Sequence, residues 1–319
     1  MGRDTLLFYA RHLEHFLNVM NHRSLRSAAE AARITQPGLS KSISTLESKL
    51  GVSLFERTSK GVEPSDAALI LERHAKIILA DFRYAEMNVN WLKNGVSGSL
   101  KIGAGLIWSL GLLPQLIANI QTRYPGLTVE VHSGIGGPLL EEVTTGDIDI
   151  FLGTLHERTD VIDNFDANAE LLMEPILEAK RVAFVRESHP LLATEEIQPR
   201  DTLEYPWAGF CNDTHGDTET MEAFRKLGLD VPDISLRTNS IAALLSIVAQ
   251  TNHIVLLADI LESEALNHGL KRLSCDIPTA TLKTWLVMRQ NLLSLKPVLE
   301  FCEAVRNVTA ERPVISPSP

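Results

Sequence analysis

Gln36, Ser40, Lys41 and Ser44 share one face of a stretch whose other face carries Leu39, Ile43, Leu46 and Leu50. That division follows from 3.6 residues per helical turn. The polar set consists of short or medium side chains that donate or accept hydrogen bonds, with one cation among them. Such a set suits base edges and phosphates, because each base pair presents a distinct pattern of donors and acceptors in the major groove. The apolar stripe is what would press this helix onto a core and leave the polar face free.

The elements around it follow from local signals. Leu13, Phe16, Leu17 and Met20 predict an amphipathic helix over residues 11–21. Ser24 is the N-cap of a second helix bearing Ala28, Ala29, Ala31 and Ala32, whose small side chains permit close packing. Arg33 and Ile34 make a short turn, and Thr35 caps the third helix with Pro37 in its first turn, where a missing N–H costs nothing. Gly51 ends that helix. Val52, Leu54 and Phe55 read as an apolar strand, and Glu56 to Gly61 as a polar loop whose Arg57 and Lys60 could grip phosphates. His12 and His15 are spaced HxxH with no further ligand nearby, so they read as exposed helix residues and not as a metal site. From residue 66 to 94 no Pro or Gly intervenes, and Leu71, Ala75, Ile78, Phe82, Ala85, Val89 and Leu92 form a heptad seam. The spacing predicts a long helix able to pair with a copy of itself. Residues 94–98, Asn-Gly-Val-Ser-Gly, read as a hinge.

The stretch Leu13–Glu72 resembles the winged helix-turn-helix of the LysR-type transcriptional regulators. The resemblance rests on a nearly gap-free run: Ser24, Ala28-Ala29, TQPGLS from Thr35, Ile43, Leu46-Glu47, Leu50-Gly51 and LFER from Leu54. It implies base and phosphate contacts at Ser27, Thr35, Gln36, Pro37, Ser40, Lys41 and Arg57, and a dimer formed through the 66–94 helix. Two departures are Arg26, where the family often has an aromatic residue or threonine, and Ser65 to Ala68, where a Thr-x-x-Gly is usual.

The rest of the chain alternates strand-like and helix-like stretches. Strands are expected at 100–104, 127–132, 148–152, 181–185, 207–210, 234–237, 254–257 and 282–288. Helices are expected at 112–124, 139–145, 218–227, 241–250 and 295–308. Alternation of this kind indicates parallel βαβ units. The expected fold class is a winged helix-turn-helix, a long linker helix, then two Rossmann-like α/β subdomains. The boundaries are 1–65 for the first domain, 66–94 for the linker and 99–319 for the last. Within it, subdomain I takes 99–175 and 278–319, and subdomain II takes 176–277.

The resemblance extends, more loosely, through GSLKIGAG, LLPQLIANIQTRYPGLTVEV, LLEEVTTGDIDIFLG and TNSIAALLSIVAQ to the family's effector-binding domain. By position it implies a cleft lined by Gly105 to Ser109 (Ile107 and Trp108 included), Ser133-Gly134, Asn212 to Thr214 and Asn239-Ser240. Hydroxyl and amide groups of Ser109, Ser133, Thr214, Asn239 and Ser240 near helix starts suit a small anion. Ile107 and Trp108 would add apolar surface, although each of these residues could equally serve as a helix cap or core. Thr251 to His253 and Ala258-Asp259 depart from the family's turns on that side.

Charge and composition agree with this division. The chain of 319 residues has a formal net charge of -10, yet residues 1–64 hold nine Lys/Arg against six Asp/Glu. A basic head on an acidic body would be oriented toward DNA. Three cysteines lie far apart without CxxC spacing, and Cys211 beside the expected cleft reads as an inert thiol. Leu6 to Ala10 is too short an apolar run for a secretory signal, so a cytoplasmic chain is expected. No phosphate loop, GxSxG, HExxH or dinucleotide fingerprint is present, which leaves an enzyme without its usual residues and calls for no cofactor. A binding protein without DNA function is the alternative, and the N-terminal head argues against it. The expected partners are promoter DNA, a small-molecule effector, RNA polymerase and further copies of the chain, as a dimer or tetramer.

Overall fold

The computed structural model describes residues 3–58, 61–94, 98–134, 136–155, 171–211, 213–277, 279 and 281–310. The chain divides into two compact units, Met1–Gly98 with Glu141–Asp149, and Ser99–Leu140 with Ile150–Pro319.

In the first unit α1 spans Arg3–His22, starting well before the expected residue 11. Ser24 caps α2, Leu25–Ala31, by accepting the Ser27 N–H, and Ala28 and Ala29 are buried as their size permits. Thr35 caps α3, Gln36–Leu50, by accepting the Gly38 N–H, and Gly51 closes it in the left-handed region at φ 74°. The wing is a hairpin of β1, Phe55–Thr58, and β2, Gly61–Pro64, pairing Phe55 with Pro64 and Thr58 with Gly61. The strand therefore lies later than the apolar triplet Val52, Leu54, Phe55 suggests, and most of the expected loop is strand. Glu47 holds the start of the strand, its carboxylate accepting the N–H groups of Leu54 (2.7 Å) and Phe55 (3.3 Å).

Among the described glycines of this unit, Gly61 leaves a side chain the least room. Its φ is +131°, and a Cβ there would come within 2.6 Å of the Arg23 carbonyl oxygen. That oxygen accepts the Val62 N–H, so the α1–α2 turn and the wing are stitched together. Gly61→Ala is expected to cost about 2–3 kcal/mol through backbone strain and displacement of this contact. Urea melts of wild type and variant check it, and an unchanged midpoint would contradict the strain.

α4 spans Asp66–Asn94 and is about 44 Å long at 1.5 Å per residue. Ser65 starts it by accepting the Ala68 N–H while donating to the Ser53 carbonyl, taking the place of the family's usual threonine. The expected heptad seam is covered within the chain at one end only. Ala75 is buried in the winged-helix core with Leu71 packed against it, whereas Ile78 and Val89 are about half exposed. Leu92 has no described side chain. The stripe that α4 buries within the unit is Ala68, Ala75, Ala80, Tyr84 and Met87. Residues 95–97 of the expected hinge lie outside the described residues. Asp149, only 1% exposed, ties α4 to the 141–149 segment by accepting from Arg83 (2.7 Å) and from the Tyr84 hydroxyl.

The second unit holds two five-stranded sheets. The first uses β3 (Gly98–Ala104), β4 (Leu127–Ser133), β5 (Ile150–Thr154), β6 (Leu171–Ala179) and β12 (Leu282–Arg289) in the order β4-β3-β5-β12-β6. The second uses β7 (Arg181–Arg186), β8 (Trp207–Phe210), β9 (Ile234–Thr238), β10 (Ile254–Ala258) and β11 (Leu270–Arg272) in the order β11-β7-β10-β8-β9. The helices of the chain beyond Gly98 are α5 (Leu113–Arg123), α6 (Gly136–Thr145, which belongs to the first unit from Glu141 on), α7 (Thr214–Lys226), α8 (Ile241–Val248), α9 (Glu262–Asn267) and α10 (Lys296–Ala310).

The sheets are mixed, not parallel as expected. β12 runs antiparallel to β5 and β6, and β7 antiparallel to β10 and β11, because the chain enters each sheet from the crossover and not through a helix. β6 is also an unanticipated strand. Its sequence LLMEPILEA lacks alternation and contains Pro175, which is accommodated on an edge strand opposite the irregularity at Thr284/Trp285.

Candidate nucleic-acid interface and ligand site

α3 has one buried side and one open side. Leu39, Ser42, Ile43 and Leu46 face inward, while Thr35, Gln36, Pro37, Lys41 and Ser44 are exposed and Ser40 is half exposed. Ser27 is exposed on α2, which packs against α3. The N-terminal turn of α3 carries the capping Thr35, then Gln36 and Pro37, so an N–H-rich helix end with its partial positive charge accompanies the polar face. Arg57 sits in β1, but its side chain is not among the described groups, and Lys60 lies outside the described residues. Two side chains that sequence reasoning missed hold this surface in place. Glu47 ties α3 to the wing, as above. Ser42 is bonded by His12 and His15 from α1.

The histidine expectation is corrected here. His12 is 9% exposed, and both rings point Nδ1 at the Ser42 hydroxyl instead of at solvent. Burial, helped by nearby positive groups, lowers both pKa values below the ordinary histidine range, although the Ser42 hydrogen bond by itself raises that of His12. The HxxH spacing alone could not show it, since the partner stands 30 residues away from His12.

In the second unit the expected ligand residues collect at strand ends as two groups. Gly105 follows β3 and donates its N–H to the Leu152 carbonyl, and Gly134 after β4 donates to Ala104, which brings 105–109 beside Ser133-Gly134. Cys211 after β8 donates to the Thr238 carbonyl of β9, which brings it beside Asn239 and Ser240. Ser133, Asn239 and Ser240 are exposed.

Other members are already occupied. Ser240 caps α8 by accepting the Ala243 N–H, and the Ser109 hydroxyl donates to the Leu106 carbonyl. Asn212 lies outside the described residues, and Thr214 opens α7 without a described side chain. Ile107 and Trp108 are core residues, 6% and 0% exposed, so they offer a ligand no free surface in this conformation. Trp108 Nε1 is a buried donor without an acceptor among the described residues.

A cavity of about 500 Å³ lies elsewhere, beside the crossover between the sheets. Lys180, Arg181, Arg272, Ser274, Thr279 and Thr281 contribute to its wall. Arg181 is held by Asp213 and Glu219, both at 3.5 Å, which ties the crossover to the start of α7.

The thiols differ in setting. Burial pushes Cys275 up to about 11 and Cys302 up to about 12, which leaves both protonated and unreactive near neutrality. Cys211 is exposed and free. No helix among the described residues is long and apolar enough to cross a membrane.

Comparison with known proteins joins the two units. Residues 10–69 match the family model of the bacterial regulatory helix-turn-helix protein, lysR family, and residues 93–310 match the LysR substrate binding domain. The chain is 30% identical over 250 residues to the HTH-type transcriptional regulator GbpR of Rhizobium radiobacter, covering 77% of this chain and 80% of that one. It is 33% identical over 199 residues to the GbpR of Azospirillum brasilense, covering 62% of this chain and only 56% of that relative. Among solved structures, full-length OxyR from Pseudomonas aeruginosa shares the fold with a TM-score of 0.67 at 17% identity, over 93% of this chain and 94% of that one. With a winged helix whose polar face is open, followed along the chain by a two-sheet α/β unit, this chain belongs to the LysR family and is a DNA-binding transcriptional regulator with a small-molecule effector domain.

Proposed function

We propose that Ser27, Thr35, Gln36, Pro37, Ser40, Lys41 and Ser44 contact the operator, with Arg57 and Lys60 of the wing on the flanking phosphates. The observation that carries this reading is the one-sided α3: an apolar stripe seats it, and its exposed face is polar from the capped N-terminus onward. Base edges in the major groove require such a face, and phosphates require the cation beside it. A gel shift with the upstream intergenic DNA tests the reading at low salt. Lys41→Ala is expected to weaken binding across sequences and to reduce the slope of log affinity against log salt by about one. An unchanged slope would remove Lys41 from the phosphate contacts.

The effector is a small anion in this proposal, held by backbone N–H groups and hydroxyls at the strand ends, with Gly105, Ser109, Ser133, Gly134, Asn212, Thr214, Asn239 and Ser240 around it. Ile107 and Trp108 shape the floor from the core. Two sheets joined by crossovers favour a ligand that alters their relative arrangement, and its effect is bounded by its difference in affinity between the two states. Oligomers built through the exposed Ile78 and Val89 of α4, as dimers or tetramers, would carry the signal to the DNA heads and to RNA polymerase in the cytoplasm. The chain acts without catalysis in this reading. A thermal-shift screen of the full chain against catabolic acids and amino acids identifies the ligand, because binding raises the melting temperature by mass action.

A further inference from the structure

Behind the DNA-reading face, three polar side chains meet that this face does not use. Ser42 is the polar member of the inward side of α3. Its Oγ lies 2.5 Å from His12 Nδ1 and 2.7 Å from His15 Nδ1. The two rings stand edge-on, with centroids 6.5 Å apart and planes at 87°. His12 and Ser42 are buried, and His15 is partly buried.

We propose that His12 and His15 are positioning residues for the recognition helix: as neutral imidazoles they seat Ser42, and thereby α3, for operator binding, and acid releases the seat. The proposal rests on the reading of α3 as the helix that contacts DNA.

A hydroxyl has one proton to give and lone pairs to accept with, and a neutral imidazole nitrogen either carries a proton or accepts one. For both short contacts to be hydrogen bonds with neutral rings, Ser42 donates to one bare Nδ1 and accepts from the other ring's Nδ1–H. The two histidines are therefore opposite tautomers. Adding a proton to the accepting ring leaves an N–H on both sides of Oγ. The serine proton is then turned away from both rings, and a charge enters a site removed from water.

The Ser42 hydrogen bond favours a proton on His12, but burial and the charges that bear on the pair oppose it. Arg11 acts on both rings, and His15 and Lys49 act on His12. Lys49 also lies over the Tyr9 ring, 4.6 Å from its centroid. The other helices packed on α1 bring apolar residues of the shared core, Ala28 and Ala29 from α2 and Leu71 and Ala75 from α4.

The direction with pH follows from linkage. Both histidines have depressed pKa values in the folded unit, burial being the larger cause. The unfolded chain therefore binds more protons near the ordinary histidine value of about 6.5. The stabilisation is complete above that value and is lost as pH falls through the folded values.

Fluorescence anisotropy of the full chain with upstream intergenic DNA, from pH 8 to pH 5.5 at constant ionic strength, tests the proposal. The wild type is expected to lose affinity by roughly threefold or more on acidification, and the double variant His12→Asn with His15→Asn to change by less than about 1.5-fold. Asparagine keeps a hydrogen-bonding group near the Nδ1 position without titrating. Ser42→Ala, which cuts the link but leaves both rings, is expected to flatten the profile as well. Parallel profiles for wild type and the double variant, or a wild-type profile in Ser42→Ala, overturn the proposal. NMR titration of the imidazole Cε1–H signals in the wild type gives a test that does not depend on either variant folding. Ordinary values for both rings would overturn the proposal and leave the DNA reading intact. Absence of DNA binding at pH 8 would overturn both.

Discussion

Phe16→Ala is expected to destabilise the winged-helix unit by about 3–5 kcal/mol, the usual cost of truncating a fully buried aromatic side chain. Phe16 is 0% exposed and stands 5.6 Å, ring to ring, from Phe55 of the wing. Its cluster gathers Leu13 and Val19 of α1, Ala28 of α2, Leu39 and Ile43 of α3 and Ala75 of α4. One ring thus sits among α1, the recognition helix, the wing and the base of the long helix. Domains hold a margin of about 5–15 kcal/mol, so this loss removes a large share of the unit's stability. Denaturant melts should show a lower midpoint, and gel shifts at 37 °C a weaker complex. A midpoint within error of wild type would mean that the cluster re-packs around the void.

Asp149→Ala is expected to cost about 2–4 kcal/mol, because it removes a buried carboxylate that accepts from the buried Tyr84 hydroxyl and from a guanidinium still 29% exposed. Asp149 accepts from the Arg83 guanidinium and the Tyr84 hydroxyl, and Arg83 also donates to the Gly146 carbonyl at 3.3 Å. The arrangement clamps α4 midway along its length to the 146–149 turn. Lys76, 3.1 Å from Asp147, repeats the tie one stretch earlier, but more exposed, so Asp147→Ala should change stability by less than about 1 kcal/mol. Comparing the two variants by calorimetry separates burial from charge. Equal losses would show that the exposed pair carries as much as the buried one.

Much of the first unit was legible in the residues because its signals are local. A cap is a contact over three positions, Ser24 to Ser27 and Thr35 to Gly38, and Gly51 takes its left-handed φ next to the helix that it ends. The stripe Leu39, Ile43, Leu46 is a matter of helical period, although its expected last member, Leu50, is about half exposed. The polar face of α3 follows as its complement. In the second unit the strands that alternate with helices were legible for the same reason.

What was not legible depends on partners distant in sequence. β6 reads as no strand by itself and becomes one only beside β12, more than a hundred residues later. The direction of β7 and β12 depends on which way the chain returns through the crossover. Trp108 and Ile107, apolar residues in a loop-like stretch, had two homes open to them, and tertiary packing placed them in the core. Which part of the heptad seam of α4 packs within the chain was likewise a matter of distant partners. Its first turns were claimed by Phe16 and its neighbours, leaving Ile78 and Val89 outside.

The sequence by itself determined that a recognition-type helix, capped at both ends and polar on one side, precedes a long helix and an α/β body, because propensity, period and capping act within a few residues. Only the tertiary structure decided that Glu47 holds the wing, that Gly61 must lack a side chain beneath Arg23, and that Ser42 lies between His12 and His15. Each of those is a hydrogen bond or a steric limit between residues that the chain brings together only by folding. Their energies depend on burial that no single stretch can supply.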